Sequence, residues 1–446
     1  MNDISRKDFL KNSALGLAGL TFVPSLLYAA SDEPRKKENK PFQTPINKSN
    51  YTLKNVRLET GFEYEKDEVI RTKTELFTVE IADGKIKKID KNQPNANVLD
   101  AKGLLMLPSF KDMHIHLDKT LYADKWRAVR RAGGIKGMIA LEQKVLPEML
   151  KTSTYKAEKL IELLQSYGSG YARSHVNIEP TSKLDSLKNL EIALANKKAS
   201  FGAELVAFPQ HGLYYTDSLP YMKEAAKMNI DFIGGLDPTN VDGSIERTMD
   251  TTVQLALDHN KGIDIHLHES GKSGIDTIEY LIAKVNENPV LKGKTFVSHA
   301  FALGTLDKVQ QDSIAEQLAN AGVGIVSTIP FGGLVMPIPI LLKQGVNVMT
   351  GNDSIVDYWS TMGSGSVLQK ANLAAQLYGK VTELGLSRML KLATAGPIPL
   401  DDKGNQQWPK TGDDADMVLI DASCSAEAVS RMSPVRSLIH KGNIVY

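Results

Sequence analysis

The stretch that decides the fold runs Leu104-Leu-Met-Leu-Pro-Ser-Phe-Lys-Asp-Met-His-Ile-His-Leu-Asp118. Its apolar start, Leu104 to Pro108, reads as a buried strand. His114 and His116 follow, two residues apart, so on an extended backbone both imidazoles leave the same face. Two imidazoles on one face of a strand end form half of a metal site. The alternative is a pair of polar residues in a loop, and downstream ligands decide between the two.

Working outward, short apolar runs that end in polar or Gly residues begin near Leu104, Tyr171, Glu204, Asp231, Gly262, Thr295, Gly324 and Asn347. After a longer first gap they recur at intervals of roughly 23 to 33 residues, with helix-compatible sequence between them. Eight such units predict an α/β fold, a (β/α)8 TIM barrel over 104–399. The long first gap, 117–170, predicts extra helices or a lid over the strand ends. Residues 51–103 read as short strands and turns, with a hairpin about Asp83-Gly84, and 400–446 has the same texture. Both chain ends therefore build one composite β domain.

The 446 residues suit a large barrel with a minor domain. A net charge of +1 and no clustered basic-aromatic patch argue against a nucleic-acid partner. The single cysteine, Cys424, excludes an intramolecular disulfide and a thiolate zinc cluster. Homo-oligomerisation stays open. Residues 1–30 read as an export signal: Ser5-Arg-Lys-Asp-Phe-Leu-Lys11 precedes a short apolar stretch containing Pro24, with no span suited to a stable membrane helix. The signal is twin-arginine-like, with Lys7 at the second arginine, and implies a periplasmic or exported protein. Residues 31–50 read as a polar linker.

The active face of a barrel lies at the carboxyl ends of its strands. Seven of the nine histidines fall there: His114, His116, His175, His211, His266, His268 and His299. His259 and His440 read as surface residues. His175 and His211 are balanced between pocket lining and hydrogen-bonded core, and Asp118 reads as a brace.

The segments Pro108-Ser-Phe-Lys-Asp-Met-His-Ile-His-Leu-Asp118, Phe208-Pro-Gln210, Asp264-Ile-His-Leu-His-Glu269, Ser298-His299 and Gly351-Asn-Asp353, with Asp357 and Trp359 beyond, stand in family order. In these motifs the chain resembles the amidohydrolase superfamily, and within it the cytosine-deaminase group. The resemblance implies one divalent ion (zinc or iron(II), with manganese also suited) on His114, His116, His266 and Asp353. Strand four ends Gly234-Gly-Leu-Asp-Pro238 without a lysine to bridge a second ion. It further implies that Asp353 accepts the proton of the activated water, Glu269 is the acid/base and His299 holds the attacking hydroxide or the oxyanion. Gln210 would read the ring edge by donor and acceptor, and Trp359 would cover its face. His268 rivals His266 on the same strand face. Ser354, Asn352 and His268 depart from the group's usual residues, which opens the substrate beyond cytosine.

The expected activity is a metal-dependent hydrolase that deaminates an amino-substituted nitrogen heterocycle, a small-molecule substrate, by attack of metal-activated hydroxide. The alternative is cleavage of a cyclic amide or an N-substituted amine in the same pocket. A non-catalytic barrel is a more distant reading.

Overall fold

A computed structural model describes residues 50–446. The export-signal reading and nearly all of the linker lie outside these described residues. Eight parallel strands form a nearly closed barrel, in chain order around the sheet. They are β1 (Phe110–Ile115), β2 (Ser169–Asn177), β3 (Gly202–Phe208), β4 (Phe232–Leu236), β5 (Gly262–His266), β6 (Thr295–Ser298), β7 (Val323–Ser327) and β8 (Val348–Thr350). Buried on both sides, these strands read as apolar runs, the expected texture of a parallel sheet covered by helices. The sheet closes where Ile115 bridges Asp353 and the Asp353 amide donates to the His114 carbonyl over 2.7 Å.

The second sheet comes from both chain ends. Asn50–Glu65 pairs with Glu68–Ala82, which pairs with Lys85–Lys91, and Met417–Ile420, Val435–His440 and Asn443–Ile444 complete it. Asp83 and Gly84 both take left-handed φ angles, 52° and 73°, at the predicted hairpin. Where short strands were expected, the first two run 16 and 15 residues, because bulges absorb their register shifts without ending the pairing.

Leu105–Pro108, expected as the first barrel strand, belongs instead to this second sheet, antiparallel to Met417–Ile420. The chain changes sheets at Ser109, whose amide bonds Asp416, while the next amide, of Phe110, bonds Gly168 beside the barrel. Leu105 and Leu107 pack into the barrel-side core and Met106 into the small-sheet core. An unbroken apolar run fits either sheet, so its pattern alone does not assign it. His440, expected at the surface, is 4% exposed and pairs with Asp416 at 2.8 Å, because Val435–His440, a strand of this sheet, faces Gly170 and Gly202 at the barrel floor.

The first gap holds two helices, Gly134–Leu150 and Ser153–Ser166. The first lies over the strand ends and packs Ile139 against Phe208, Leu236 and Val241. No helix among the described residues is long and apolar enough to cross a membrane.

At the closure, Gly351 presses against His114. A Cβ there would overlap the His114 nitrogen, Cα and carbonyl oxygen, all backbone atoms with little room to yield. Gly351→Ala should therefore cost about 3 kcal/mol or more of stability and part the two ends that carry His114 and Asp353. Denaturant unfolding and the metal content of the purified variant check this; a wild-type midpoint would contradict it.

Candidate active site

Four of the eight barrel strands deliver the parts. His114 and His116 leave β1, His266 ends β5, His299 follows β6 and Asp353 follows β8. Their functional atoms converge. Asp353 Oδ1 lies 3.4 Å from His114 Nε2 and 3.3 Å from His116 Nε2, and His116 Nε2 is 3.3 Å from His266 Nε2. One ligand atom from each of His114, His266, His299 and Asp353 falls within 4.8 Å of the others.

The hydrogen bonds around the cluster set its tautomers. His116 Nδ1 faces the His175 carbonyl at 3.1 Å, and a carbonyl only accepts, so the proton sits on Nδ1 and the Nε2 lone pair faces inward. Ser298 Oγ donates to Asp264 Oδ1 at 2.6 Å, so it accepts from His114 Nδ1 at 2.9 Å and leaves His114 Nε2 as a bare, buried lone pair. Asp264 Oδ2 in turn accepts from Arg173 at 2.9 Å. Burial, reinforced by neighbouring rings, holds His175, His266 and His299 well below the ordinary imidazole range, and burial followed by the Lys119 charge lowers His116 to about 4. Neutral imidazoles beside a carboxylate, with lone pairs facing one another, fit a divalent cation.

Three positions just past strand ends take non-Gly residues into the left-handed region: Asp237, after β4, at 35°, His299 at 69° and Asp353 at 65°. Each is pinned by a backbone bond to a neighbouring strand end, to His266, Val326 and His114 respectively. A second group, His114, His175 and Asp264, also lies close together. Asp264 already serves Arg173 and Ser298, so this deeper group reads as structural support.

The amidohydrolase model matches residues 173–446, more than half of the chain. The chain belongs to the amidohydrolase family. It is 49% identical to the uncharacterized protein YahJ of Escherichia coli (strain K12), over 99% of this chain and 98% of that one. Among solved structures it is similar to N-isopropylammelide isopropylaminohydrolase from Burkholderia multivorans, with 25% identity, 89% of this chain and 98% of that chain covered, and a TM-score of 0.76. It also shares its fold with 5-methylcytosine deaminase from Klebsiella pneumoniae, at 24% identity, 89% and 97% coverage and a TM-score of 0.73.

In this amidohydrolase His266, rather than His268, meets the β1 pair. His268 turns to Asp237, Nδ1 to Oδ2 at 3.0 Å, and its side chain is 36% exposed. Asp237 also accepts from the His268 and Glu269 amides at 2.6 and 3.2 Å, so it shapes the whole turn after β5. Glu269 is buried. Its Oε1 accepts from the Thr239 and Asn240 amides at 2.7 and 2.8 Å, and its Oε2 has no hydrogen-bond partner. His299 Nε2 is likewise buried and unpartnered.

A cavity of about 350 Å³ opens beside the cluster, lined by His116, His266, Asp353, Gln210, Trp359 and, unanticipated, Lys119. Lys119 is 2% exposed and donates to Gln210 Oε1. Its ammonium lies 3.3 Å from Glu142 Oε1 and 5.4 Å from the centre of the Trp359 ring. Glu142, on the helix over the strand ends, also accepts from Trp359 Nε1 at 2.7 Å and Asn177 Nδ2 at 3.1 Å, and pairs with His211 at 3.5 Å. Asp118 braces this wall by accepting from the Asn177 amide at 3.0 Å. Sequence reasoning missed Glu142, Lys119, Asp237 and Ser298. Lys119 had a signal, standing three residues past His116, and Ser298 adjoins His299; Glu142 had none.

Two predictions follow from these supports. Ser298→Ala removes the acceptor that fixes the His114 tautomer and should weaken divalent-metal affinity roughly 10-fold or more, read by competition with a chromogenic chelator; unchanged affinity would contradict the relay. His211 is buried, which opposes its charge, yet Glu142 and Glu179 (3.1 Å from Nδ1) raise its pKa to about 9. A folded pKa above the ordinary value near 6.5 gives stabilisation that is complete below about 6.5 and is lost as pH rises through about 9. Thermal midpoints should fall over that interval, and less so in His211→Gln; identical profiles would refute the assignment.

Proposed function

We propose that this amidohydrolase cleaves the bond between a ring carbon of a nitrogen heterocycle and its exocyclic nitrogen, releasing ammonia or an amine, at one divalent cation held by His114, His116, His266 and Asp353. The observation that carries this reading is the convergence of inward-facing lone pairs on Asp353 Oδ1, 3.3–3.4 Å from two imidazoles whose outer nitrogens are occupied. Zinc, iron(II) and manganese all suit this nitrogen and carboxylate set.

A cation in this position supplies Lewis acidity, lowering the pKa of a water from about 15.7 towards about 7. The chain's own groups do the rest. Asp353, whose Oδ1 faces the His114 and His116 rings, accepts a proton from the attacking water. Glu269 keeps Oε1 on two backbone amides and presents Oε2 as the free oxygen that passes a proton to the ring and then to the departing nitrogen. His299 Nε2 offers a hydrogen bond to the oxygen that gains charge at the attacked carbon. The water oxygen stays on the ring carbon, and one water proton leaves with the nitrogen.

Support for exocyclic C–N cleavage comes from the shape of the pocket, which is sized for a single substituted ring, and from the 25% identical Burkholderia enzyme whose name describes an N-substituted aminohydrolase. Incubation of the metal-loaded protein with amino- and alkylamino-substituted pyrimidines, triazines and pterins should release ammonia or amine with the ring retained. Ring opening would refute the proposal. Glu269→Gln should keep its metal and lose at least 100-fold in kcat; a variant within a few-fold of wild type would remove Glu269 from the mechanism.

A further inference from the structure

The hydrogen-bonding groups on the cavity wall away from the proposed metal ligands are unbalanced. Gln210 faces a lysine, which can only donate, so the carboxamide oxygen is the atom turned towards Lys119. The acceptor half of Gln210, which the sequence suggested would read a ring edge, is therefore occupied. Its Nε2 makes no hydrogen bond among the described residues and remains for a ligand. Lys119 places one ammonium in the wall, and its charge is matched by Glu142.

Arg131 supplies the charge that is not matched. It lines the same cavity from the irregular stretch before helix Gly134–Leu150, and it forms no hydrogen bond or ion pair among the described residues. The stretch itself is held: the Val129 amide donates to Thr361 Oγ1 at 3.0 Å, and the Ala132 amide to Met138 Sδ at 3.3 Å. Asp353, already committed to the histidine cluster, is the only carboxylate on the cavity lining among the described residues. His268 and Ser354 on the lining can accept as well as donate, but Lys119, the Gln210 amide and Arg131 can only donate. A ring presenting amino groups to that wall would set those donors against donors and leave only its ring nitrogens to accept.

We infer that the substrate carries an oxygen-rich, anionic edge, of ring oxo groups or a carboxylate, on the side away from the cleaved C–N bond, and that Arg131 with Lys119 and Gln210 selects it. This rests on the heterocycle reading above and narrows it to acidic rings. Arg131 is the specificity-determining residue, since it alone adds net charge and it arrives from outside the barrel strands.

Binding tests the inference apart from turnover. A 1,3,5-triazine with three oxo groups has no exocyclic nitrogen to lose, and its triamino counterpart has the same outline with exocyclic donors in place of exocyclic acceptors. Calorimetric titration of the metal-loaded full chain should show the trioxo ring binding at least roughly 10-fold tighter than the triamino ring. Arg131→Gln, an exposed position that leaves the fold alone, should lose about 10-fold on the trioxo ring only, together with much of the salt dependence of that binding. Equal binding of the two rings, or an Arg131→Gln effect common to both, would overturn it. Turnover of amino rings without this preference would overturn the inference and leave hydrolysis standing. The preference without turnover of any ring would do the reverse.

Discussion

The 2.7 Å hydrogen bond from the Asp353 amide to the His114 carbonyl is the constraint on which the site depends. It joins the last barrel strand to the first, and it does so at the two residues that the proposed metal site shares. Closing the sheet and gathering the ligands are thus one event. The left-handed φ of Asp353 is the cost of that turn, and Gly351 is the residue small enough to let the two backbones meet. An amidohydrolase barrel opened at this seam would keep most of its core and lose its chemistry.

Below the cluster the barrel interior is polar where a simple core would be apolar. Arg173 sits between Phe232 and Phe296, 4.1 and 4.3 Å from the ring centres, and its charge is met by Asp264 and Glu204. Asp264 then orders Ser298, and Ser298 orders His114. A buried arginine unpaired would be expensive; paired and capped by aromatic faces, it anchors a chain of hydrogen bonds that ends on the inner tautomer of His114. The opposite wall follows the same logic with different parts. Glu142 gathers Lys119, Asn177, His211 and Trp359, and so ties the covering helix to three strand ends and to the loop after β8.

Much of this was legible because it is local or periodic. The histidine pair on β1 and the eight spaced apolar runs announce a barrel with its polar residues at one end, and His266 with Glu269 keeps a fixed spacing within one turn. What stayed hidden depends on long-range pairing. Leu105–Pro108 is apolar on both faces and gives no sign of which sheet takes it. Gln210 reads as a two-way hydrogen-bonding group until Lys119, 91 residues earlier, claims its oxygen. Glu142 lies in a stretch without a motif, and only the fold shows it to be the hub of a buried network. His440 reads as surface on composition and is buried by the meeting of two sheets.

The central claim is a single cation bound by inward-facing lone pairs of His114, His116, His266 and Asp353. The most direct measurement is the stoichiometry of tightly held divalent metal, by elemental analysis of the full chain and of His116→Ala after dialysis against metal-free buffer. One ion per wild-type chain and far less than one in the variant is the predicted result. Two ions per chain, or full occupancy retained without His116, would contradict the account.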